Sequence, residues 1–249
     1  MTVKQVAVTG ASRGIGRAIA QRFLSEGWRV WALARSSAGG DGLQGDVHFV
    51  PFDAANERSV LDAASVLTTQ AGHLTALVNN AGIALSAPLH KTSLEDFARI
   101  QQVNVTAPFL LARELSGAMV KAGHGRIINI TSTAASKGFK YTAAYCASKH
   151  ALLGLTRALA AELAGKGITV NAVSPGWTET DMFTSAIDRI AQSTGRGQDA
   201  ARDALEKMNP LQRAVKPEEV AEVVFFLAGS PAGAAITGAN YAIDGGETV

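Results

Sequence analysis

The chain has 249 residues, 47% of them hydrophobic, with 25 glycines and a formal net charge of +2. This length and composition indicate one large α/β domain, and no linker, low-complexity tract or internal repeat divides it. A charge so close to zero provides no extended basic face for nucleic acid, and no apolar run is long enough to span a membrane. The single cysteine, Cys146, excludes an intrachain disulfide and favours a reducing cytoplasm, and the five histidines show no metal-binding spacing, so no metal site is predicted.

The chain begins with a pattern of strand, glycine-rich turn and helix. Residues 3–8 predict a strand, and residues 17–25 predict a helix. Between them, Gly10 suits a tight turn, Gly14 permits backbone to approach a pyrophosphate, and Gly16 allows close packing of the helix. The spacing Gly-x-x-x-Gly-x-Gly differs from the Gly-x-Gly-x-x-Gly dinucleotide fingerprint, so the turn alone is equally consistent with a simple connector.

The second predicted strand, residues 28–34, ends at Ala34 and is followed by Arg35. An acidic residue at this end would bind the ribose hydroxyls of NAD. Arg35 and Arg13 can instead make charge-assisted bonds to a 2′-phosphate, which Ala34 does not repel. The pattern therefore favours NADP(H), with NAD(H) possible, and the alternative is that both arginines are ordinary surface charges.

Residues 36–45 predict a glycine-rich loop, followed by a strand at residues 47–51 and then Asp53. Asp53 is predicted to cap a helix that begins near Asn56, and it is also a candidate for contacting the adenine amino group.

Small residues and amides follow the next predicted strand, residues 74–78, in the run Asn79-Asn80-Ala81-Gly82. Such residues at the carboxyl end of a strand suit a crevice in which backbone approaches a ligand. The helix after residue 94 carries Asn104. Because asparagine is a weak helix former, its side chain either bonds locally or has a special task.

Residues 126–130 predict a strand that delivers Ser132, 13 residues before Tyr145 (145 − 132), so the hydroxyl and the phenol could converge on one carbonyl oxygen. Tyr145 and Lys149 lie four residues apart in a helical pattern, and should share one helix face. Bringing a phenol from a pKa of about 10 to about 7 requires roughly 4 kcal/mol. A charge about 4 Å away is worth on the order of 4 kcal/mol at an effective dielectric of about 20, so Lys149 could lower this pKa. The alternative is a core-edge tyrosine and a solvated lysine.

The last predicted strands are residues 168–173 and 239–243, with a helix at 218–227 between them. Pro175-Gly176 predicts a turn beside the same crevice and leaves Thr180 free to hold a carboxamide. Residues 183–208 are polar and permissive of helix, and we interpret the segment of about 177–215 as a mobile lid over the substrate.

Taken in chain order, these motifs resemble the short-chain dehydrogenase/reductase family over essentially the whole chain. The motifs are the turn at residues 9–16, residues 79–82, Asn104, Ser132, Tyr145 with Lys149, Pro175-Gly176, and Asp244-Gly245-Gly246. The resemblance implies a single domain with a Rossmann-like, doubly wound parallel sheet and helices on both faces. It also implies a nicotinamide cofactor and a catalytic tetrad of Asn104, Ser132, Tyr145 and Lys149.

The resemblance further implies the cofactor contacts and the assembly. The cofactor-binding residues would be Gly10, Ser12, Arg13, Gly14, Ile15, Gly16, Arg35, Asp53, Asn80, Ala81, Gly82, Tyr145, Lys149, Pro175, Gly176 and Thr180. The expected assembly is a homotetramer built on the helices near residues 101–121 and 146–165 and on the C-terminal segment.

A narrower similarity, at residues 125–133 and 148–150, is to ketoreductases that act on 3-oxoacyl thioesters, including bacterial polyketide ketoreductases. It implies NADPH-dependent reduction of a ketone. Tyr145 would protonate the alkoxide, Ser132 would donate to the same oxygen, Lys149 would hold the ribose, and Asn104 would fix a water. One alternative is an NAD(P)-dependent hydroxyacyl-CoA or secondary-alcohol dehydrogenase that works in the oxidative direction. Another is a non-catalytic NADP-binding partner or regulatory subunit.

The substrate is expected between the loop at residues 133–144, residues 85–89 and the lid. The apolar candidates for contact, which could equally belong to the core, are Phe139, Tyr141, Trp177, Met182 and Phe183. If the substrate is bound to CoA or a carrier protein, its phosphates could meet Lys137, Lys140, Arg189, Arg196 and Arg202, although solvated surface charge explains these residues as well.

Overall fold

The computed structural model describes residues 3–37, 42–195 and 197–249. Within them, seven parallel strands form one sheet. The strands are β1 (Gln5–Thr9), β2 (Arg29–Ala34), β3 (Val47–Pro51), β4 (Ala76–Asn79), β5 (Gly125–Ile130), β6 (Ile168–Pro175) and β7 (Asn240–Ile243). Their order across the sheet is β3-β2-β1-β4-β5-β6-β7. The order reverses between β1 and β4, and in open parallel sheets such a switch point opens a crevice at the carboxyl ends of the strands.

Eight α-helices lie in the described residues. They are α1 (Gly14–Ser25), α2 (Glu57–Val66), α3 (Leu94–Gln101), α4 (Ala107–Ala122), α5 (Ala143–Leu163), α6 (Asp181–Thr194), α7 (Gln198–Glu206) and α8 (Pro217–Gly229). The π-helical segment Gln102–Thr106 lies between α3 and α4, and a short 3-10 helix, Thr133–Ala135, follows β5.

The sheet is covered on both faces, as a parallel sheet requires. Every residue of β5 and β6 is buried. One hydrophobic cluster joins the sheet to α2, α4 and α5 through residues such as Leu77 and Leu111, and a second joins it to α1 and α8 through Phe23 and Val224. The predicted single-domain, doubly wound α/β fold is confirmed.

The predicted strands are confirmed, each within two residues of its expected ends. Helix α1 begins at Gly14, three residues earlier than predicted, because the end of the glycine turn already forms its first helical turn. Residues 38–41 of the predicted loop at 36–45 lie outside the described residues. The connection from β2 to β3 contains no α-helix in the part that is described.

The segment that was interpreted as a lid forms α6 and α7, which pack around a small hydrophobic cluster of their own. Phe183 is 2% exposed in that cluster, with the Trp177 ring centroid 6.0 Å away. A β-bridge between Thr178 and Val215 joins the two ends of the segment. The described residues of the segment 177–215 therefore form a compact layer beyond the end of β6.

Candidate active site

The glycine turn after β1 has a geometry that suits a phosphate group. Gly10 and Gly14 have φ values of +67° and +52°, which favour glycine. A Cβ added to Gly16 would collide with the carbonyl oxygen of Gly10. Arg13 stands at the N-cap of α1, and no side chain caps the helix there, so the free N–H groups of its first turn suit an anion. Ser12 and Ile15 are half-buried in the same turn.

The run after β4 is fixed against this turn by Thr9. The backbone N–H groups of Asn80 and Ala81 each donate to Thr9 Oγ1 at 2.9 Å, and Asn80 Nδ2 donates to the Thr9 carbonyl oxygen at 2.9 Å. Thr9 is 2% exposed. The sequence reasoning did not single out this threonine, although a hydroxyl at the end of the strand beside a predicted crevice was an available signal.

Arg13 and Arg35, expected at the adenosine end, differ in their contacts. Arg13 Nη1 donates to Asp181 Oδ2 at 2.8 Å, and both side chains are exposed. Arg35 is exposed and has no ion pair or hydrogen bond within the described part of the chain. Such an unpaired guanidinium beside the end of β2 suits a phosphate.

The predicted capping role of Asp53 is wrong. Asn56 is the N-cap of α2, with its Oδ1 accepting from the Ser59 N–H at 3.1 Å. Asp53 Oδ1 instead accepts from the Ala55 N–H at 3.0 Å, because residues 53–56 form a turn, closed by the bond from Asn56 N to the Asp53 carbonyl, before the helix begins. Its carboxylate belongs to an exposed residue at the end of β3.

Tyr145 and Lys149 lie on α5, one helical turn apart, facing the end of β5. Lys149 is 4% exposed, its Nζ donates to the Ile130 carbonyl oxygen at 2.9 Å, and it lies 5.7 Å from the Tyr145 ring centroid. Ser132, the residue that caps the short 3-10 helix, lies close enough to Tyr145 for its hydroxyl to act on the pKa of the phenol. The structure therefore brings the predicted hydroxyl, phenol and ammonium into one site.

The pKa of Tyr145 is raised, whereas Lys149 was expected to lower it. Burial raises the pKa of the Tyr145 phenol, while the neighbouring Ser132 hydroxyl acts in the opposite direction. Burial also lowers the pKa of Lys149 to about 8. The ammonium is itself desolvated and donates to Ile130, so it does not bring the phenol towards neutral pH in the protein alone.

Asn104 lies in the π-helical segment and is fully buried. Its Oδ1 accepts from the Ile83 N–H at 2.9 Å, and its Nδ2 donates to the Ile83 carbonyl at 2.9 Å and to Ser148 Oγ at 3.0 Å. These bonds are not local to the helix, because they join Asn104 to the segment after β4 and to α5. Gly82 lies between Asn104 and Lys149, since a Cβ on it would be 3.4 Å from Asn104 Oδ1 and 3.5 Å from Lys149 Nζ.

A buried polar chain that the sequence reasoning missed joins the sheet to α5. Asn79 Nδ2 donates to Asn129 Oδ1, and Asn129 Nδ2 donates to Thr156 Oγ1, both at 2.9 Å. Asn129 and Thr156 are 1% and 0% exposed. Because buried amides must be paired, this chain fixes the position of α5, and with it Tyr145 and Lys149, relative to β4 and β5.

The turn after β6 lies on the other side of the crevice. Pro175 is buried at the end of β6, and the Gly176 N–H donates to the Ile243 carbonyl at 3.0 Å. Thr180 precedes α6 and packs against the glycine turn, with its Cγ2 3.0 Å from a Cβ position on Gly14. Its hydroxyl donates to the Thr178 carbonyl at 3.2 Å, whereas the sequence predicted a free side chain. The hydroxyl oxygen can still accept a hydrogen bond.

The apolar candidates for substrate contact differ in exposure. Tyr141 and Met182 are 52% and 47% exposed, Phe139 and Trp177 are half-buried, and Phe183 belongs to the core of residues 177–215. Arg196, one of the expected phosphate contacts, lies outside the described residues.

The described residues, 3–37, 42–195 and 197–249, contain no group of three His, Cys, Asp or Glu side chains that could hold a metal ion. None of the helices in this part of the chain is both long and apolar enough to cross a membrane.

A glycine turn and a Ser-Tyr-Lys cluster at the switch point of a parallel sheet together define a Rossmann-like oxidoreductase. A family model described as enoyl-(acyl carrier protein) reductase matches residues 10–248. The chain belongs to the short-chain dehydrogenase/reductase family of oxidoreductases, which act on CH–OH and C=O groups.

Its relatives differ in the substrates that their names state. The D-threitol dehydrogenase of Mycolicibacterium smegmatis is 36% identical over 253 residues, which cover 99% of this chain and 93% of that protein. A 3-oxoacyl-(acyl-carrier-protein) reductase of Synechocystis sp. is 36% identical over 254 residues, which cover 99% of this chain and 97% of that protein. The crystal structure of an actinorhodin polyketide ketoreductase variant with NADPH has a TM-score of 0.94 and 34% identity, and the match covers 99% of this chain and 97% of the other.

Proposed function

We propose that the protein catalyses the NADPH-dependent reduction of a ketone to a secondary alcohol, with a 3-oxoacyl thioester as its substrate. The observation that carries this proposal is that the side chains of Ser132 and Tyr145 are neighbours, beside the buried Lys149 and the glycine turn. The similarity to a 3-oxoacyl-(acyl-carrier-protein) reductase and to a polyketide ketoreductase with NADPH supports the substrate and the cofactor.

The residues present fit a nicotinamide dinucleotide. The uncapped first turn of α1 and the glycines at 10, 14 and 16 would hold the pyrophosphate, and Arg13 and Arg35 would hold the 2′-phosphate. Asp53 and residues 80–82 would line the adenosine side, while Pro175, Gly176 and Thr180 would hold the carboxamide. When bound, NADPH supplies the hydride that reduces the carbonyl carbon.

Tyr145 acts in this proposal as the general acid. The pKa of the phenol is raised above its ordinary value, so the group is protonated at neutral pH and able to give a proton to the oxygen of the forming alcohol. Ser132 donates a hydrogen bond to the same oxygen and so stabilises the negative charge that develops there. Lys149 would hold the ribose, and it provides a positive charge beside the phenol below pH about 8. Asn104, in the π-helical segment, would hold a water.

Gly16→Ala is expected to weaken NADPH binding about 10- to 100-fold, because overpacking at the Gly10 carbonyl costs about 1–3 kcal/mol or displaces α1. The measurement is a fluorescence titration of NADPH. Gly154→Ala is the control, because a Cβ at this position of α5 meets open space. Equal affinities for the two variants would contradict the role of the turn.

Arg35→Asp is expected to lower the ratio of kcat/KM with NADPH to kcat/KM with NADH about 100-fold, because a charged hydrogen bond is replaced by repulsion. Steady-state rates with both cofactors measure this ratio. Lys166→Asp makes the same change of charge at the amino edge of the sheet and should leave the ratio unchanged. If Arg35→Asp leaves the ratio of the two kcat/KM values unchanged, Arg35 does not bind the 2′-phosphate.

A second candidate function is oxidation of a secondary alcohol, which the similarity to D-threitol dehydrogenase favours. Turnover of acetoacetyl-CoA, longer 3-oxoacyl thioesters and simple ketones with NADPH and NADH, compared with oxidation of polyols and 3-hydroxyacyl-CoA, separates the two. Faster oxidation of polyols would replace the proposed substrate. No turnover of any substrate, together with tight NADPH binding, would favour a non-catalytic NADP-binding partner or regulator.

We also propose that residues 177–215 act as a lid and that the chain forms a homotetramer. The separate hydrophobic cluster of α6 and α7 supports the first, because it would allow the segment to move as a unit. Exposed apolar residues on α3 and α4, such as Phe97 and Phe109 at 39% and 41%, support the second. Analytical ultracentrifugation tests the assembly, and a monomer would contradict it.

A further inference from the structure

Glu247 is a carboxyl residue that the proposed reaction does not use, yet its side chain is only 1% exposed. Its Oε1 has no hydrogen-bond partner, and Lys137 Nζ lies 3.6 Å away. Burial, together with the nearby carboxylate of Asp244, raises the pKa of Glu247, while Lys137 and Thr133 act in the opposite direction. An incompletely paired buried carboxylate destabilises the folded protein, so its presence requires another explanation.

On one side, Glu247 contacts the segment that carries Ser132. The Thr133 hydroxyl lies close enough to the Glu247 carboxyl to lower its pKa, and Thr133 directly follows Ser132. Lys137 Nζ donates to the Glu247 carbonyl oxygen at 2.7 Å. Glu247 is therefore bonded to Lys137 and lies beside Thr133, at the two ends of a segment next to one of the proposed donors to the substrate oxygen.

On the other side, Glu247 lies against the turn after β6. Its Oε2 is 3.1 Å from a Cβ position on Gly176, the residue proposed beside the carboxamide of the cofactor. The Glu247 carboxyl thus lies between two parts of the proposed site. One is the segment that follows Ser132, and the other is the Gly176 turn, which is proposed to hold the nicotinamide carboxamide.

The turn that presents Glu247 is itself firmly held. Asp244 accepts hydrogen bonds from Gly246 N at 2.9 Å, Thr248 N at 3.0 Å and Thr248 Oγ1 at 2.6 Å. Leu211 N donates to the Gly245 carbonyl at 3.2 Å, which joins the turn to the end of the proposed lid. Because this turn is held in place, the Glu247 carboxyl that it carries can keep the neighbouring segments at a fixed distance.

We propose that Glu247 is a positioning residue, which sets the distance between the Ser132 segment and the Gly176 turn and thereby aligns the substrate oxygen with the cofactor. This inference rests on the proposed function. Small errors in such an alignment are costly, since a displacement of about 1 Å can reduce the rate about 100-fold.

The test compares Glu247→Gln, Thr133→Val and Thr133→Ser with the unchanged protein, using acetoacetyl-CoA and NADPH. Glu247→Gln is expected to lower kcat about tenfold or more, while the Kd for NADPH does not rise and the melting temperature does not fall. Thr133→Val should lower kcat similarly and Thr133→Ser should restore it. The effects of Glu247→Gln and Thr133→Val should not add when combined, because the two residues act through one contact.

Glu222→Gln is the matched control, since Glu222 pairs with Arg22 on the exposed surface of α8 and α1. A kcat for Glu247→Gln within about twofold of the unchanged protein would overturn the proposal, as would a loss of kcat that only follows a fall in melting temperature. If the unchanged protein shows no turnover, the proposed function fails. Amide hydrogen exchange then decides the positioning role: faster exchange at residues 133–137 in Glu247→Gln supports it, and unchanged exchange overturns it.

Discussion

Tyr145→Phe is expected to lower kcat for ketone reduction about 1,000-fold or more while NADPH still binds. The substitution removes only the phenol oxygen, which is the proposed proton donor, and general acid catalysis typically contributes 10²–10⁴-fold. The half-buried ring keeps its place on α5, so the fold and the glycine turn should be unaffected. Single-turnover reduction and fluorescence titration of NADPH measure the two quantities separately.

Tyr241→Phe is the control for this experiment. Tyr241 lies on β7 and packs against the hydrophobic cluster of α1 and α8, so removal of its hydroxyl should change kcat little. Near-normal reduction by Tyr145→Phe would remove Tyr145 from the mechanism. A loss of NADPH binding in that variant would mean that the effect is not one of proton transfer.

Lys149→Met is expected to lower kcat/KM about 100-fold or more without destabilising the protein at pH 7. The pKa of Lys149 is about 8 in the folded protein and 10.5 ordinarily, so burial of the ammonium opposes folding. At about 1.36 kcal/mol per unit, the penalty is on the order of 3 kcal/mol below pH about 8. Methionine removes the penalty but leaves the Ile130 carbonyl oxygen without its donor, so the variant should be equally stable or more stable.

The effect of Lys149 on the free energy of unfolding depends on pH with a defined sign. Between pH about 8 and 10.5 the unfolded chain binds more protons at this lysine than the folded protein, so the contribution of Lys149 to the free energy of unfolding rises with pH. The stability advantage of Lys149→Met should therefore shrink between pH 7 and pH 10. Urea unfolding at several pH values measures it. A variant that is markedly less stable than the unchanged protein at pH 7 would contradict a desolvated ammonium.

The sequence predicted the parts of the site that depend on local spacing. Tyr145 and Lys149 share a face because four residues make about one helical turn, and Gly10 and Gly14 have the positive φ values that the turn requires. The parallel strands place Asn80, Ser132 and Gly176 at one edge of the sheet, as their positions after predicted strands indicated.

Properties that depend on tertiary packing could not be predicted in this way. The raised pKa of Tyr145 follows from its burial between α5 and the end of β5, a quantity that a spacing of four residues does not contain. The bonds of Asn104 to Ile83 and Ser148, and the placement of Glu247 beside Thr133 and Gly176, join segments distant in the chain. Asn56 rather than Asp53 caps α2, because residues 53–56 form a turn and the helix begins only at Glu57.

The most direct test of the central claim is transfer of deuterium from NADPH deuterated at both C4 positions to acetoacetyl-CoA, with the product analysed by mass spectrometry. The account predicts that the protein forms 3-hydroxybutyryl-CoA carrying one deuterium on the former carbonyl carbon, and that Tyr145→Phe forms about 1,000-fold less of it in the same time. Product without deuterium at that carbon, or equal product from Tyr145→Phe, would contradict it.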